Sequence, residues 1–159
     1  MSAQPQNLFR IRPMQPADLV AVARNDKASY PFPWSKRIFR DCLRVGYRCF
    51  VATDLSAAVV GHALLSIAFD EAHVLNICVA PAYRRQGIAR QLLDQLLQEA
   101  DAANARNLLL EVRPSNRAAR RLYAAYGFRR IAKRPDYYPA KHGREDAYLL
   151  SRRVQPFSE

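Results

Sequence analysis

Between Val79 and Leu97 the chain reads VAPAYRRQGIARQLLDQLL, and Gly87, one of only five glycines, stands among arginines at the start of an amphipathic helix. Unpaired backbone N–H groups at a helix start, together with the positive end of the helix dipole, form a site for an anion. A glycine there lets backbone approach a ligand with no Cβ in the way. Arg84, Arg85 and Arg90 add fixed positive charge suited to phosphate. The alternative is a solvated basic turn in which glycine serves only tightness. The stretch is not a P-loop, because no Gly-Lys-Ser or Gly-Lys-Thr is present. A strand before the turn and a helix after it favour the anion site. The second group of interest is Glu111, which closes the apolar run NLLLEV. A carboxylate there is costly unless it is paired or near water. It is therefore an ion-pair partner for Arg113, a strand-end residue reaching solvent, or a general base.

These groups need elements to hold them. Leu8 to Arg12 reads as a short strand followed by a helix, with Pro16 at the helix entrance. YPFPWSKRIFRDCLRVG reads as an aromatic loop leading into a second helix capped by Ser35. YRCFVAT and AVVGHALLSIAF are consecutive strands joined around Asp54–Ser56, and EAHVLNICVA is another, ending at Pro81. The quoted helix runs from about Gly87 to Ala102, with Ile88, Leu92, Leu96 and Ala100 on its apolar face and Leu93 and Leu97 widening it. NLLLEV is a buried strand. SNRAARRLYAAYGF is a short helix capped by Ser115 or Asn116, with Gly127 at the left-handed position that follows it. FRRIAKRPDYY and DAYLLSRRV finish as two strands around a polar loop. Mixed helices and strands call for an α/β domain with a mixed sheet.

A chain of 159 residues, half of them apolar and a quarter charged, reads as one globular, soluble domain. No apolar run approaches the roughly 20 residues needed to span a bilayer, and the N-terminus has no hydrophobic signal region. Three cysteines, Cys42, Cys49 and Cys78, with no CxxC pair, suggest reduced thiols in a cytoplasmic protein. His62, His73 and His142 form no metal or triad pattern, and no metal is expected. The formal charge of +11 asks for an anionic partner: nucleic acid, a phosphorylated cofactor or an acidic protein surface.

RRQGIA, Arg84–Ala89, resembles the (Q/R)-x-x-G-x-(G/A) coenzyme A signature of the Gcn5-related N-acetyltransferases. The likeness continues through LNICVAPAYRRQGIARQLL, LLLEVRPSNRAARRLYAAYGF and YYPAKHGREDAYLL. With FPWS at Phe32–Ser35, these stretches are similar to the RimI branch, the ribosomal-protein-alanine N-acetyltransferases. The resemblance runs from about Ile11 to Leu150. The first motif marks the superfamily, and the later ones, in order, are far more specific. Ala89 replaces the second glycine of many members. Cys78 stands where a small residue is usual, and AKH in the late loop has no counterpart.

The resemblance implies a single-domain Gcn5-related N-acetyltransferase fold over residues 8–154, an α/β fold whose mixed, mostly antiparallel central sheet is flanked by helices. Residues 1–7 and 155–159 are then short flexible tails. It also implies acetyl-CoA as cosubstrate, with direct transfer in a ternary complex to the N-terminal alanine of a small-subunit ribosomal protein, protein eighteen. Backbone of Ile77, Cys78 and Val79 would hold the pantetheine arm. Arg84, Arg85, Gln86, Gly87, Ile88, Ala89 and Arg90 would surround the pyrophosphate, and Asn116 would cap its helix and contact the cofactor. Glu111 matches the general base. Tyr123 lies on a core stripe by spacing alone, and the resemblance makes it the general acid. Phe32, Trp34, Tyr137 and Tyr138 could line a slot for a peptide N-terminus, and Tyr126 is read as packing. The enzyme is expected to act as a monomer, with neither membrane nor nucleic acid required. The competing readings are acetylation of lysine side chains or a small-molecule amine, and a non-enzymatic nucleic-acid-binding module. The module is disfavoured because no helix-turn-helix, RNA-recognition or zinc signature appears.

Overall fold

Seven extended runs pair into one mixed sheet, in the order β1-β2-β3-β4-β5-β7-β6. Its strands are β1 (Arg10–Pro13), β2 (Arg48–Thr53), β3 (Val59–Ala68), β4 (Glu71–Val79), β5 (Asn107–Val112), β6 (Arg129–Pro139) and β7 (Arg144–Arg153). Four helices interleave with them: α1 (Leu19–Ser29), α2 (Lys36–Arg44), α3 (Ile88–Ala102) and α4 (Arg117–Ala125). The structure, a computed structural model, describes residues 7–155. Most of the two tails expected at the chain ends lies outside the described residues. No described helix is long and apolar enough to cross a membrane. By contacts the chain divides into two units. One takes the chain up to Leu64 with Asn76–Gln95, the other Leu65–Leu75 with the chain from Leu96 onward.

In the first unit β1 pairs antiparallel with β2, from Arg10↔Thr53 to Pro13↔Phe50. A single 3-10 turn at Pro16–Asp18 leads into α1, with Pro16 at its first position. Asp18 fixes that entry by accepting two bonds from the Arg12 guanidinium, at 2.7 and 2.8 Å, and one from the Gln15 N–H at 2.8 Å. Ser35 caps α2 by accepting from the Ile38 N–H. Val22, Phe39, Val51, Leu64, Ile88, Leu92 and Leu93 are fully buried. Gly61 on β3 is a close-approach position. A Cβ there would lie 2.9 Å from the Cys78 carbonyl oxygen and 3.3 Å from methyl groups of both Ile88 and Leu92.

In the second unit the start of β4 runs parallel to β5, from Glu71↔Asn107 to Val74↔Leu110. β5 then pairs antiparallel with β7, from Asn107↔Arg153 to Val112↔Tyr148. β6 completes the edge on β7, with irregular register between Arg130 and Ala132 and again between Arg134 and Tyr138. β5 differs from the uniformly buried strand that NLLLEV suggests. Its burial alternates, with Leu108, Leu110 and Val112 inside and Asn107, Leu109 and Glu111 half-buried. Period-2 alternation places Glu111 on the partly wetted face. Asn116 caps α4 by accepting from the Ala119 N–H at 3.2 Å. Gly127, at φ +85°, ends it as the sequence suggests. The Phe128 N–H reaches back to the Tyr123 carbonyl, and the two rings meet edge to face at 5.6 Å. This is the hydrophobic contact that accompanies a Schellman ending.

Candidate active site

The first unit carries the strand, turn and helix expected to meet the anion. The parallel register of β4 with β5 ends at Val74↔Leu110, whereas β4 continues to Val79. Along this last stretch its carbonyls are met by side chains. The Tyr30 hydroxyl donates to the Ile77 oxygen at 2.5 Å, and the Ser29 hydroxyl and Arg84 Nε donate to the Val79 oxygen at 3.4 Å. The Cys78 side chain turns inward to the Asn25 carbonyl at 3.6 Å, so only its backbone is available to a ligand. Burial pushes this thiol up to about 12, which keeps it protonated and inert at neutral pH.

After a 3-10 turn at Pro81–Tyr83, the chain enters left-handed backbone at Arg85 (φ +66°) and again at Gly87 (φ +83°). The first intrahelical bond of α3 runs from the Gln91 N–H to the Gly87 carbonyl at 3.1 Å. The N–H groups ahead of it are those a helix start leaves for an outside acceptor. A Cβ on Gly87 would meet nothing within 4 Å, so its φ requires glycine and its backbone faces open space. Arg84, Arg85, Gln86 and Arg90 are exposed around it, Ala89 is half-buried, and the Ile88 side chain belongs to the core. This arrangement suits a pyrophosphate: backbone donors at a helix start, no side chain in the approach, and guanidinium groups beside it.

Phe32 in the aromatic loop is exposed. Trp34 is anchored by its backbone N–H to Asp26 Oδ2 at 2.8 Å and by its ring on Phe39 at 5.4 Å. Asp26 is buried and also bonds His62 Nε2 at 3.1 Å and the Asn76 amide at 3.2 Å. The ligand atoms of Asp26, His62 and Cys78 lie within 4.8 Å of one another, a grouping of metal-binding types that the scattered sequence positions do not reveal. With three donors on one carboxylate, it reads as a hydrogen-bonded tie between α1, β3, β4 and the Trp34 loop.

The second unit gathers the candidate proton-handling groups. Glu111 is nearly buried, its Oε2 shielded with no hydrogen-bond partner, while Oε1 lies 3.6 Å from His73 Nε2. The pairing with His73 is invisible in sequence; it needs the parallel register that sets His73 beside Leu109, two residues before Glu111. Arg113 is not the partner of Glu111. It pairs with Glu145 at 3.3 Å, donates to the Pro139 carbonyl at 2.7 Å and lies 4.4 Å over the Tyr138 ring. Glu145 also takes the Ser115 N–H and hydroxyl, at 2.9 and 3.0 Å. Burial opposes ionisation of Glu145, but the bonds from Ser115 and Arg113 outweigh it and hold its carboxyl below the usual range.

A hydrogen bond to the Glu111 carboxylate raises the Tyr137 phenol, and burial followed by the Glu111 charge raises Tyr138. Tyr123 is buried on α4, and desolvation, then Tyr138, pushes its phenol well above the ordinary value. All three phenols therefore keep their protons at neutral pH; Tyr137 and Tyr138 feel the Glu111 charge, and Tyr123 is reached through Tyr138. Glu111, Tyr137 and Tyr138 are thus brought together, as is Asn116 with the start of α4.

Residues 17–128 match the model of the Acetyltransferase (GNAT) family. The chain belongs to that family. It is 36% identical over 141 residues to the [Ribosomal protein bS18]-alanine N-acetyltransferase of Escherichia coli K12, covering 89% of this chain and 95% of that protein. The crystal structure of the ribosomal-protein-S18-alanine N-acetyltransferase from Escherichia coli superposes with a TM-score of 0.86 at 34% identity, over 95% of this chain and 97% of that one. Ard1 from Thermoplasma volcanium gives 0.85 at 30% identity, over 93% and 99% of the two chains. The GNAT fold expected from the motifs is therefore the fold of this chain.

Proposed function

We propose that this GNAT member is an acetyl-CoA-dependent N-α-acetyltransferase, acting in a ternary complex on the N-terminal alanine of ribosomal protein bS18. The observation that carries the reading is the 36% identity, over nearly the whole chain, to an Escherichia coli protein named for that reaction. The acetyltransferase domain is assigned to residues 8–154. The enzyme is assigned to the cytoplasm as a monomer, with no membrane, metal or nucleic acid needed for transfer.

Bound acetyl-CoA supplies the activated thioester. Backbone at Gly87 and the start of α3, with Arg84, Arg85 and Arg90, is assigned the pyrophosphate, Gln86 and Ala89 flank it, and backbone of Ile77, Cys78 and Val79 the pantetheine arm. Asn116 accepts the Ala119 N–H with its side-chain oxygen, and its amide nitrogen is available to donate to the cofactor. Glu111 takes the proton of the acceptor's α-ammonium at its orphaned Oε2, directly or through one water. The α-ammonium, at about 8, needs a far weaker base than lysine at about 10.4. The oxygen left without a hydrogen-bond partner has an open acceptor position for that proton, beside His73 and the phenol of Tyr137.

Tyr123 holds its proton at Oη and offers it to the departing sulfur. A phenol raised by burial is always protonated but a reluctant donor. Its contribution is therefore a hydrogen bond that strengthens as charge develops, with the proton from the incoming amine available to complete transfer. Phe32, Trp34, Tyr137 and Tyr138 are assigned to the peptide slot.

Three peptides of one sequence test this: one beginning with alanine, one with its N-terminus blocked, and one blocked but carrying an internal lysine. Acetylation by acetyl-CoA, read by mass spectrometry, is expected only on the free alanine. Equal rates on the blocked lysine peptide would replace the N-terminal assignment with a side-chain one.

A further inference from the structure

The helix α4, RAARRLYAA, breaks the ordinary rules of helix electrostatics. It carries three arginines and no acidic residue, with Arg117 at its first position. Cations near a helix N-terminus are disfavoured by the dipole, and like charges three and four residues apart repel. Arg117, Arg120 and Arg121 stand in both relations. Arg130 on β6 joins them around one open concavity of about 620 Å³, floored in part by Phe128 and Tyr148.

Among the described residues no carboxylate lies within ion-pairing distance of any of these four guanidinium groups. Two of them are held in place. Arg120 and Arg130 lie 5.1 and 4.6 Å from the centre of the Tyr148 ring, and Arg120 also donates to the Pro114 carbonyl at 3.0 Å. Four uncompensated cations in a concavity, two of them held in place, are a local cost without a local gain, which marks a functional surface.

We propose that this concavity binds the phosphodiester backbone of a nucleic acid strand. Guanidinium forks match phosphate oxygens two at a time. A volume of about 620 Å³ equals roughly twenty water volumes. That is far more than one free phosphate needs, and a strand presents successive phosphates to successive arginines. Tyr148 already lies under two arginines and Phe128 is buried, so the surface offers contacts to phosphate rather than to bases, and binding is expected to be independent of sequence. The surface lies outside the residues assigned to acetyl transfer and does not depend on which amine is acetylated.

The test uses the full chain with fluorescent twelve-nucleotide RNA and DNA of one sequence, followed by anisotropy between 50 and 200 mM salt. Four phosphate contacts to a single strand predict a slope of log K against log salt of about −2.8. Replacing three arginines (Arg117→Gln, Arg121→Gln, Arg130→Gln) should weaken binding at least about tenfold and bring the slope toward about −0.7. Acetylation of a short alanine peptide should stay unchanged. The control Arg24→Gln, Arg37→Gln, Arg40→Gln removes the same charge elsewhere and should bind nearly as the parent does. Should the triple variant unfold, Arg121→Gln alone carries the test, with a slope change of about 0.7. Either strand binding in this way supports the site and identifies its source. Equal loss in the control, displacement of the strand by acetyl-CoA, equally tight binding of a twelve-residue polyglutamate, or no binding at 50 mM salt would each overturn it.

Discussion

Gly61→Ala tests whether the β4 strand is held where a cofactor strand must be. The added methyl would sit 2.9 Å from the Cys78 carbonyl oxygen, a backbone atom of β4, and 3.3 Å from Ile88 and Leu92 of α3. A side-chain tip could rotate away; a strand carbonyl cannot move without moving its strand. Overpacking of this kind costs about 1–3 kcal/mol. Alanine recovers about 0.4–1 kcal/mol by restricting the unfolded chain. The expected net loss is centred on about 1.3 kcal/mol, which for a chain of this size lowers Tm by about 3–5 °C. Because the displaced atoms belong to the strand and helix assigned to coenzyme A, KM for acetyl-CoA should rise while KM for the acceptor peptide stays put. Calorimetric melting and two-substrate kinetics read both effects. An unchanged or raised Tm with unchanged acetyl-CoA affinity would show that the contact is slack and the reasoning wrong.

Three further substitutions or conditions probe the site. Glu111→Gln should lower kcat by about 10²-fold or more and leave acetyl-CoA affinity intact, read by steady-state rates and titration calorimetry. Gly87→Val forces a β-branched residue into φ +83°, at about 1–2 kcal/mol, and should weaken acetyl-CoA binding in a variant that still folds. Burial pushes Cys49 and Cys78 up to about 12, which stabilises the fold while the thiols stay neutral. That contribution is complete below the unfolded value near 8.5 and is lost as pH rises toward 12, at up to about 1.4 kcal/mol per unit for each thiol. Urea unfolding at pH 8, 9 and 10 should therefore show a decline that flattens in the Cys49→Ala, Cys78→Ala variant.

What the sequence disclosed and what it hid divide along the range of the interaction. Ser35, Asn116 and Gly127 were legible as helix caps because each acts on backbone two to five residues away. The stripe Ile88, Leu92, Leu96 and Ala100 was legible because one helix determines it. Glu111 beside His73 needs a parallel register across a crossover, and Asp26 with His62 and Asn76 joins residues 36 and 50 positions apart. The same distance explains Gly61, which looks in sequence like an interruption of a β-branched run and is in space a gap kept for a neighbouring strand. It also explains Arg113, whose sequence neighbour Glu111 is the natural guess and whose actual partner is Glu145.

The net charge of +11 takes on meaning once the acids are followed to their partners. Asp18 is spent on Arg12, Asp41 on Arg44, Asp70 on Arg106, Glu145 on Arg113 and Asp146 on Lys133. The first four of those pairs tie an element end or a turn and the last bridges β6 and β7, so much of the acidic complement goes into architecture. Among the described residues, Arg84 and Arg85 at the cofactor turn and the four arginines around the α4 concavity have no carboxylate partner within 4.0 Å. Part of the excess charge thus gathers at two open places: a glycine turn with exposed N–H groups and a hollow beside a helix start. A cation left without a partner at a surface that water can reach costs little. Several left together repel one another, and an anion that enters gains from all of them at once. The first cluster has the size and backbone donors for a pyrophosphate. The second has four guanidinium groups and the room for a strand of phosphates, and its salt dependence is where the two uses of one charge surplus separate.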